Sequence, residues 1–438
     1  MTRFADLPHQ ERVEDAARRK VVVVGAGVVG LSSALWLLKA GHDVTVVDRQ
    51  PPAQGVSYAH AASFGNACTI AFGACLPVAM PGIWARAPRM LMDPRGPLSI
   101  YWRNLPGLAP WLIAFLKASR PAEVNRIADV LGCLLHFAEG GHSPLIKESG
   151  AEGLIRRAGC LYLYRTAKQF AEAQTDMTLR KREGVAMEVL DVATIQQAEP
   201  NLARLYHKAV RFTDVYHLDT PFRYALALAD AIRRRGGQFV QGDVRTLART
   251  VDEVAAVLEA QILRADRLVV AGGAWSKPLA ASVGDKVLLD TERGYHVHFP
   301  QGGSLLNGPC CYPEYGFYMT PLEEGLRAAG TVELGGLGAP PHAGRTDRIA
   351  RIARELVPAL GPPADTWLGF RPSMPDSLPV VGPSPNDSRI LYAFGHGHIG
   401  LTLAGVTGRI ISDLVSDREP PVDIAPLGLS RFDVRVNA

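Results

Sequence analysis

Residues 20–49 read KVVVVGAGVVGLSSALWLLKAGHDVTVVDR, and their order decides the architecture. Val21, Val22, Val23 and Val24 are β-branched residues in a row, the pattern of a strand buried on both faces. Gly25, Ala26, Gly27, Val28, Val29 and Gly30 follow at once as a GxGxxG turn. A helical pattern then runs over 31–40 until Gly41 supplies a C-terminal stop. Residues 43–47 give a second apolar strand that ends in Asp48. Gly25 permits the tight turn, Gly27 lets backbone approach a pyrophosphate, and Gly30 lets the helix pack on the strand. The helix N-terminus offers free N–H groups and a positive dipole end to phosphate oxygens. Asp48 is placed to accept hydrogen bonds from a ribose hydroxyl. Glycines alone often mark ordinary turns, so the flanking strand, helix and acid carry the reading. This stretch is a dinucleotide site.

Composition narrows the rest. The length of 438 residues suits two interwoven domains, and 47% hydrophobic with 21% charged residues is ordinary for a globular protein. A net charge of +4, from 47 basic and 43 acidic residues, gives no case for nucleic acid. Cys68, Cys75, Cys133, Cys160, Cys310 and Cys311 form no CxxC pair and no zinc spacing with histidine, which reads as free thiols in a reducing compartment with no metal site. The first nineteen residues are polar and lack the apolar core of a secretion signal. No run of about 18 apolar residues suggests a membrane span. The expectation is a cytoplasmic protein.

Outward from the nucleotide stretch, residues 1–19 read as a loose arm or short helix with no function assigned. The loop over 54–72 (QGVSYAHAASFGNACTIAF) is built of small residues that suit a backbone lying close to a flat ligand. Residues 77–121 are rich in Pro, Trp and Arg, with Trp84, Trp102 and Trp111. Core packing is the favoured reading there, ahead of a cover over a substrate pocket or a dock on a membrane surface. Helical spacing runs over 127–149, a strand over 160–164, and a short helix over 191–199 with Asp191 as N-cap. A helix within 215–235 starts at Pro221 and leads to a strand at Phe239 and Val240. Residues 266–276 (DRLVVAGGAWS) form a strand that runs into a Gly-Gly turn, as parallel strands do where they face a ligand. Residues 288–299, 317–321 and 326–334 suit an antiparallel sheet. Residues 348–356 read as a helix, 367–382 as proline-broken loop, 390–394 as a strand and 400–416 as a closing helix.

Strands of the nucleotide sheet therefore come from the first, third and last parts of the chain. The expected fold class is α/β (α+β overall), a doubly wound parallel-sheet domain interleaved with a mixed or antiparallel-sheet substrate domain. The first comprises residues 20–75, 205–280 and 365–418, and the second 76–204 and 281–364. Residues 1–19 form an arm and 419–438 a tail.

Three segments together resemble the D-amino-acid-oxidase-like FAD-dependent oxidoreductases, most nearly their bacterial D-amino acid dehydrogenase branch. They are GAGVVG with Asp48; Ser63-Phe64-Gly65-Asn66-Ala67 followed by Met80-Pro81-Gly82; and the pair GFRPSMPDSLPVVGPSP (369–385) and YAFGHGHIGLTLAGVTG (392–408). The last pair also resembles the D-hydroxyproline dehydrogenases and oxidases of that branch. The resemblance implies non-covalent FAD, with the isoalloxazine between the two domains and no residue marked for a covalent link.

By the same resemblance Arg371 pairs with the substrate carboxylate, a role that a permanently charged guanidinium fork fits well. Backbone at Gly397, His398, Gly400, Leu401 and Thr402 meets the pyrimidine end of the flavin, where a helix N-terminus favours the negative charge of the reduced ring. Ser63, Asn66, Ala67 and Gly369 flank the ring, while Arg49, Val244, Gly272, Gly273 and Trp275 join the nucleotide turn around the cofactor. Tyr295, His296, Tyr318 and Arg327 sit where the substrate sheet faces the ring, with aromatic core as an equal alternative for the tyrosines. Arg371, Tyr295, Tyr318 and His398 are the candidate catalytic residues. His396 reads as a packed core histidine, and Cys310 and Cys311 as inert.

The implied reaction is oxidation of a D-amino acid, such as a D-hydroxyproline or D-proline, to an imine that water hydrolyses when it is acyclic. The free amine drives the loss of hydride, so orientation and electrostatics suffice and no protein base is required. Oxygen or a quinone takes the electrons. Three rivals stand beside this reading: a sarcosine- or glycine-type oxidase, an NAD-dependent dehydrogenase, and a flavin-bearing subunit of a larger complex. Homo-oligomerisation and a peripheral contact with the inner face of the membrane are left open.

Overall fold

In a computed structural model, residues 4–92 and 97–432 are described. The first three residues of the expected arm, four residues of the Trp-rich segment and the last six of the tail lie outside the described residues. The opening stretch folds as its pattern predicts: β1 (Lys20–Val24), α1 (Val28–Ala40) and β2 (Asp43–Asp48). Along β1 the valines alternate between two cores. Val21 and Val23 join one apolar cluster, Val22 and Val24 another. Each buried valine contributes roughly 1.5–3 kcal/mol. Gly25 takes φ +109° at the turn, and Gly41 ends α1 at φ +100°.

Six strands form the nucleotide sheet, in the order Gln238–Gln241, β2, β1, Arg267–Val270, Ile390–Phe394 and Val380–Pro383. The first five run parallel and the last antiparallel. In chain order the parallel strands read 3-2-1-4-5, so the order reverses between β1 and Arg267–Val270. Ligands of doubly wound sheets bind at that point, beyond the carboxyl ends of the strands.

The closing helix Gly400–Val415 packs on α1 backbone to backbone: a Cβ at Gly408 would lie 2.7 Å from the Ser32 carbonyl carbon. Gly405 makes the same kind of approach to Gly141 on the helix Ala138–Ser149. These contacts fix the helix start at the sheet's carboxyl edge.

A second sheet of nine strands is mixed. Its antiparallel part runs from Asp365–Ser373 through Asp290–Phe299, Gly325–Leu334 and Phe317–Leu322 to Cys310–Tyr312, which pairs in parallel with Cys160–Tyr164, itself antiparallel to Lys208–Phe212. The strand Asp365–Ser373 corrects the expectation of a broken loop over 367–382. It is an edge strand, where the missing N–H of Pro372 costs no ladder bond. Val380–Pro383 is a second strand inside that expected loop.

In the Trp-rich segment the tryptophans divide. Trp111 is buried, its indole donating to the Ser373 carbonyl at 3.0 Å, whereas Trp84 and Trp102 are 69% and 64% exposed. Packing thus accounts for one of the three. No helix among the described residues is long and apolar enough to cross a membrane. All six cysteines are free, and among the described residues no cluster of His, Cys, Asp or Glu is placed to hold a metal ion.

Candidate active site

A cavity of about 560 Å³ opens at the reversal point, between the ends of β1 and Arg267–Val270 on one side and the nine-stranded sheet on the other. Gly25, Gly27, Val28 and Val29 line it, and so do Asp48, Arg49, Val244, Gly272, Gly273 and Trp275. A Cβ at Gly27 would meet nothing within 4 Å, so the turn faces open space. At Gly30 it would lie 1.9 Å from the Gly25 carbonyl oxygen, so that glycine serves packing. Ala26 and Gly30 were assigned to the cofactor and do not line the cavity. Ala26 instead donates its N–H to Asp48 Oδ2 at 2.7 Å and accepts from the Tyr58 hydroxyl at 2.8 Å.

Asp48 is more committed than expected. Its Oδ1 accepts from the Gln50 N–H and from His60 Nε2, both at 2.9 Å. One lone pair on Oδ2 is left for a ribose hydroxyl. Burial works to raise the Asp48 pKa, yet the bonds from His60, Ala26 and Gln50 together hold it below the usual carboxylate value. Arg49 pairs with Asp243 at 2.9 Å and lies 4.9 Å above the Trp275 ring.

At the other end the cavity is lined by Ser63, Asn66, Ala67, Gly369, Arg371, Gly397, His398, Gly400, Leu401 and Thr402. Neither α1, whose N-cap is Gly27, nor the closing helix, whose N-cap is Ile399, has a side-chain cap. Two helix starts with free N–H groups therefore face one cavity, which suits a ligand with phosphates at one end and an electron-accepting ring at the other. The residues present fit FAD.

Arg371 stands on Asp365–Ser373, opposite Glu292 in the ladder. Its Nη1 donates to the Thr331 carbonyl at 2.7 Å. Thr331 takes φ +61°, a costly conformation for a β-branched residue, and so aims that carbonyl. Gly294 leaves the space the guanidinium occupies: a Cβ there would lie 2.2 Å from Arg371 Nη2. Burial draws the Arg371 pKa down, and Glu292 draws it back up. Burial likewise raises the Glu292 pKa, against the pull of Arg371.

His398 is exposed to the cavity. Enclosure by protein and then the charges of Arg371 and Arg180 push its pKa down to about 4, so it is neutral at physiological pH. His396 is buried against the Thr407 hydroxyl at 3.0 Å, as expected of a core histidine.

Three expected substrate contacts are corrected. Tyr295 is 3% exposed; its hydroxyl donates to Glu333 at 2.6 Å and accepts from the His342 N–H at 3.1 Å. Strand alternation sets its side chain on the face opposite Glu292 and Gly294, so only its remainder borders the cavity. His296 lies behind Trp367, stacked at 5.2 Å, with Nδ1 bonded to the Gly65 carbonyl at 2.9 Å. Arg327 reaches the Phe64 and Asn66 carbonyls and the Cys68 thiol at 3.0, 3.3 and 3.2 Å. His296 and Arg327 thus hold the 63–68 loop and do not line the cavity. Tyr318 does line it, its hydroxyl bonded to that of Tyr162. Tyr162, Glu292 and Arg180 also line it and were missed. Tyr162 had a legible signal, since it occupies the middle of the predicted strand over 160–164.

The fold and the two helix starts define a dinucleotide-binding protein, and its relatives narrow the class further. The family described as FAD dependent oxidoreductase (DAO) matches residues 20–414. The chain is 37% identical to a D-amino-acid oxidase of Bradyrhizobium diazoefficiens, over 94% of this chain and 99% of that protein. It is 32% identical to a D-amino acid dehydrogenase of Xanthobacter autotrophicus, over 94% and 99%. Its fold resembles the crystal structure of glycine oxidase from Geobacillus kaustophilus, with a TM-score of 0.72 and 22% identity over 95% of this chain and 99% of that one. This chain belongs to the DAO family of FAD-dependent oxidoreductases.

Proposed function

We propose that the protein oxidises a D-amino acid at its α-carbon to the imine, which hydrolyses to the 2-oxo acid. The observation that carries this is the Arg371 guanidinium in the cavity wall, seated over Gly294 and held by the Thr331 carbonyl. One of its five donors is engaged there, which leaves a fork for the α-carboxylate. The names of the relatives at 37% and 32% identity support the D-amino acid class.

FAD, when bound, would supply the acceptor for the hydride, which carries both electrons. Gly25, Gly27 and the start of α1 hold its pyrophosphate, and Asp48 holds a ribose. Ser63, Asn66, Ala67, Gly369 and the start of the closing helix enclose the ring. The six-stranded sheet is the flavin-binding part of the chain and the nine-stranded sheet the substrate-binding part; Lys208–Phe212 and Asp365–Ser373, expected within the flavin segments 205–280 and 365–418, join the latter.

Arg371 orients the substrate through its carboxylate. Neutral His398 adds no positive charge in the cavity, and Glu292, whose pKa burial raises, accepts the ammonium proton that leaves before oxidation. The Tyr162–Tyr318 pair closes the cavity wall. Cyclic secondary amines such as D-hydroxyproline and D-proline join the candidate substrates through the resemblance of the C-terminal segments. The acceptor is oxygen or a quinone, distinguished by oxygen uptake against reduction of a quinone analogue.

The test is an anaerobic screen of D-amino acids, their L-enantiomers and N-alkyl glycines, following loss of flavin absorbance. Bleaching by D- but not L-enantiomers is expected. Bleaching by sarcosine or glycine alone overturns the reading.

A further inference from the structure

Arg180 has no task in the reading above. It lies on the helix Gln174–Arg182 and borders the cavity, its guanidinium 6.0 Å from the Tyr162 ring centre and 5.6 Å from that of Phe212. Its Nε donates to the Gly73 carbonyl at 3.3 Å. Among the described residues its terminal nitrogens make no hydrogen bond, and no carboxylate pairs with it. Arg182, on the same helix, pairs with both Asp129 and Glu183. The contrast is informative, because a half-buried cation without a counter-charge carries a desolvation cost that a ligand anion would relieve.

The geometry also prepares Arg180 for such a ligand. Two aromatic faces fix the plane of the guanidinium, and the Nε bond fixes its rotation. The edge formed by Nη1 and Nη2 stays free, and that edge receives a carboxylate bidentately. The cofactor's phosphates are already served by the uncapped start of α1 and its ring by that of the closing helix, and Gly73, Tyr162 and Phe212 lie outside the nucleotide turn. Arg371, Arg180 and His398 all line the one cavity, and both guanidiniums lower the His398 pKa. Arg371 has Glu292 opposite it in the ladder, whereas among the described residues Arg180 has no carboxylate paired with it.

Resting on the D-amino acid reading, we infer that Arg180 receives a negatively charged group on the substrate's side chain, so that the preferred class is an acidic D-amino acid. Its α-carboxylate meets Arg371 and its side-chain carboxylate meets Arg180. This ranks D-glutamate and D-aspartate above the ring of a D-hydroxyproline.

The experiment compares near-isosteric pairs on the FAD-loaded protein: D-glutamate with D-glutamine, and D-aspartate with D-asparagine. A charge-assisted bidentate contact predicts a kcat/KM ratio of at least about tenfold for each acid over its amide. Arg180→Gln should bring both ratios to within about twofold, and Arg180→Lys should keep an intermediate ratio. Binding of succinate against its half-amide, read from the flavin spectrum, should show the same discrimination without turnover, and lose it in Arg180→Gln. Wild-type ratios near one, or D-hydroxyproline turned over faster than either acid, overturn the inference and leave D-amino acid oxidation standing. Turnover of no D-amino acid overturns both.

Discussion

Gly294→Ala tests whether the position of Arg371, rather than its mere presence, sets the rate. A methyl at residue 294 would lie 2.2 Å from Nη2, 2.4 Å from Cζ and 2.8 Å from Nη1 of Arg371. Ordinary contact begins near 3.4 Å, so the guanidinium must retreat by about 1.2 Å. That retreat also draws Nη1 from the Thr331 carbonyl. A misplacement of about 1 Å in a group that positions substrate costs about 100-fold, or roughly 2.7 kcal/mol of transition-state stabilisation. Gly294 has no positive φ, and alanine is no worse than glycine within a strand. Flavin content and melting temperature should therefore hold while kcat/KM for the best D-amino acid falls about 100-fold. In an Arg371→Ala background the same methyl meets no guanidinium and should cost less than about threefold, the non-additivity that marks a direct contact. A Gly294→Ala enzyme within threefold of wild type would show that the substrate carboxylate does not dock on this guanidinium.

Arg371→Lys replaces a fork by a point charge, so KM should rise by at least about tenfold, with retained flavin spectra and unchanged steady-state parameters counting against the assignment. Burial holds the His396 pKa down to about 3, whereas the unfolded chain titrates near 6.5. The unfolded state then binds the extra proton between those values, and stability falls as pH drops through them, by about 2 kcal/mol from pH 6.5 to 5. His396→Asn should flatten that part of the urea-midpoint profile, and an unchanged slope refutes it. Burial raises the thiol pKa of Cys68, Cys133, Cys160, Cys310 and Cys311, the last to about 12, and only Cys133 is open to a reagent. A disulfide reagent at pH 8 should release about one rapid equivalent from the native protein. Rapid release of three or more would show open thiols in the sheet.

The nucleotide half of the fold was legible because local and global demands coincide there. A strand buried on both faces needs an unbroken apolar run, and four valines supply it; a turn at φ +109° needs glycine, and Gly25 supplies it. The strand Asp365–Ser373 was not legible because Gly369 and Pro372 signal a break in any window read alone. What makes them tolerable is position. The strand lies at a sheet edge, and Gly369 admits the Trp367 ring, which a Cβ there would meet at 1.9 Å. Neither fact is local, so no pattern within nine residues carries it.

The site was legible in residue types more than in orientation. Tyr295 and Gly294 are neighbours on a strand that stays in regular register with Asp365–Ser373, so alternation sends Tyr295 away from the cavity, while the register shift falls on the partner strand, where it aims the Thr331 carbonyl at Arg371. The arginines make the same point through their donors. Arg327 comes from a segment where the substrate sheet was expected, and Arg371 from one expected to be loop. Arg327 ends among two carbonyls and a thiol, which occupy it as a clamp on the 63–68 loop. Arg371 meets one carbonyl, and Arg180 gives only its Nε to another. An arginine whose donors are met by its own chain holds the fold, and one whose fork is left over binds a ligand. Arg180 sits in the run Arg180-Lys181-Arg182, where no motif singles it out. Its place in the cavity follows from the helix phase that turns Arg182 outward to Asp129 and Arg180 inward to Tyr162.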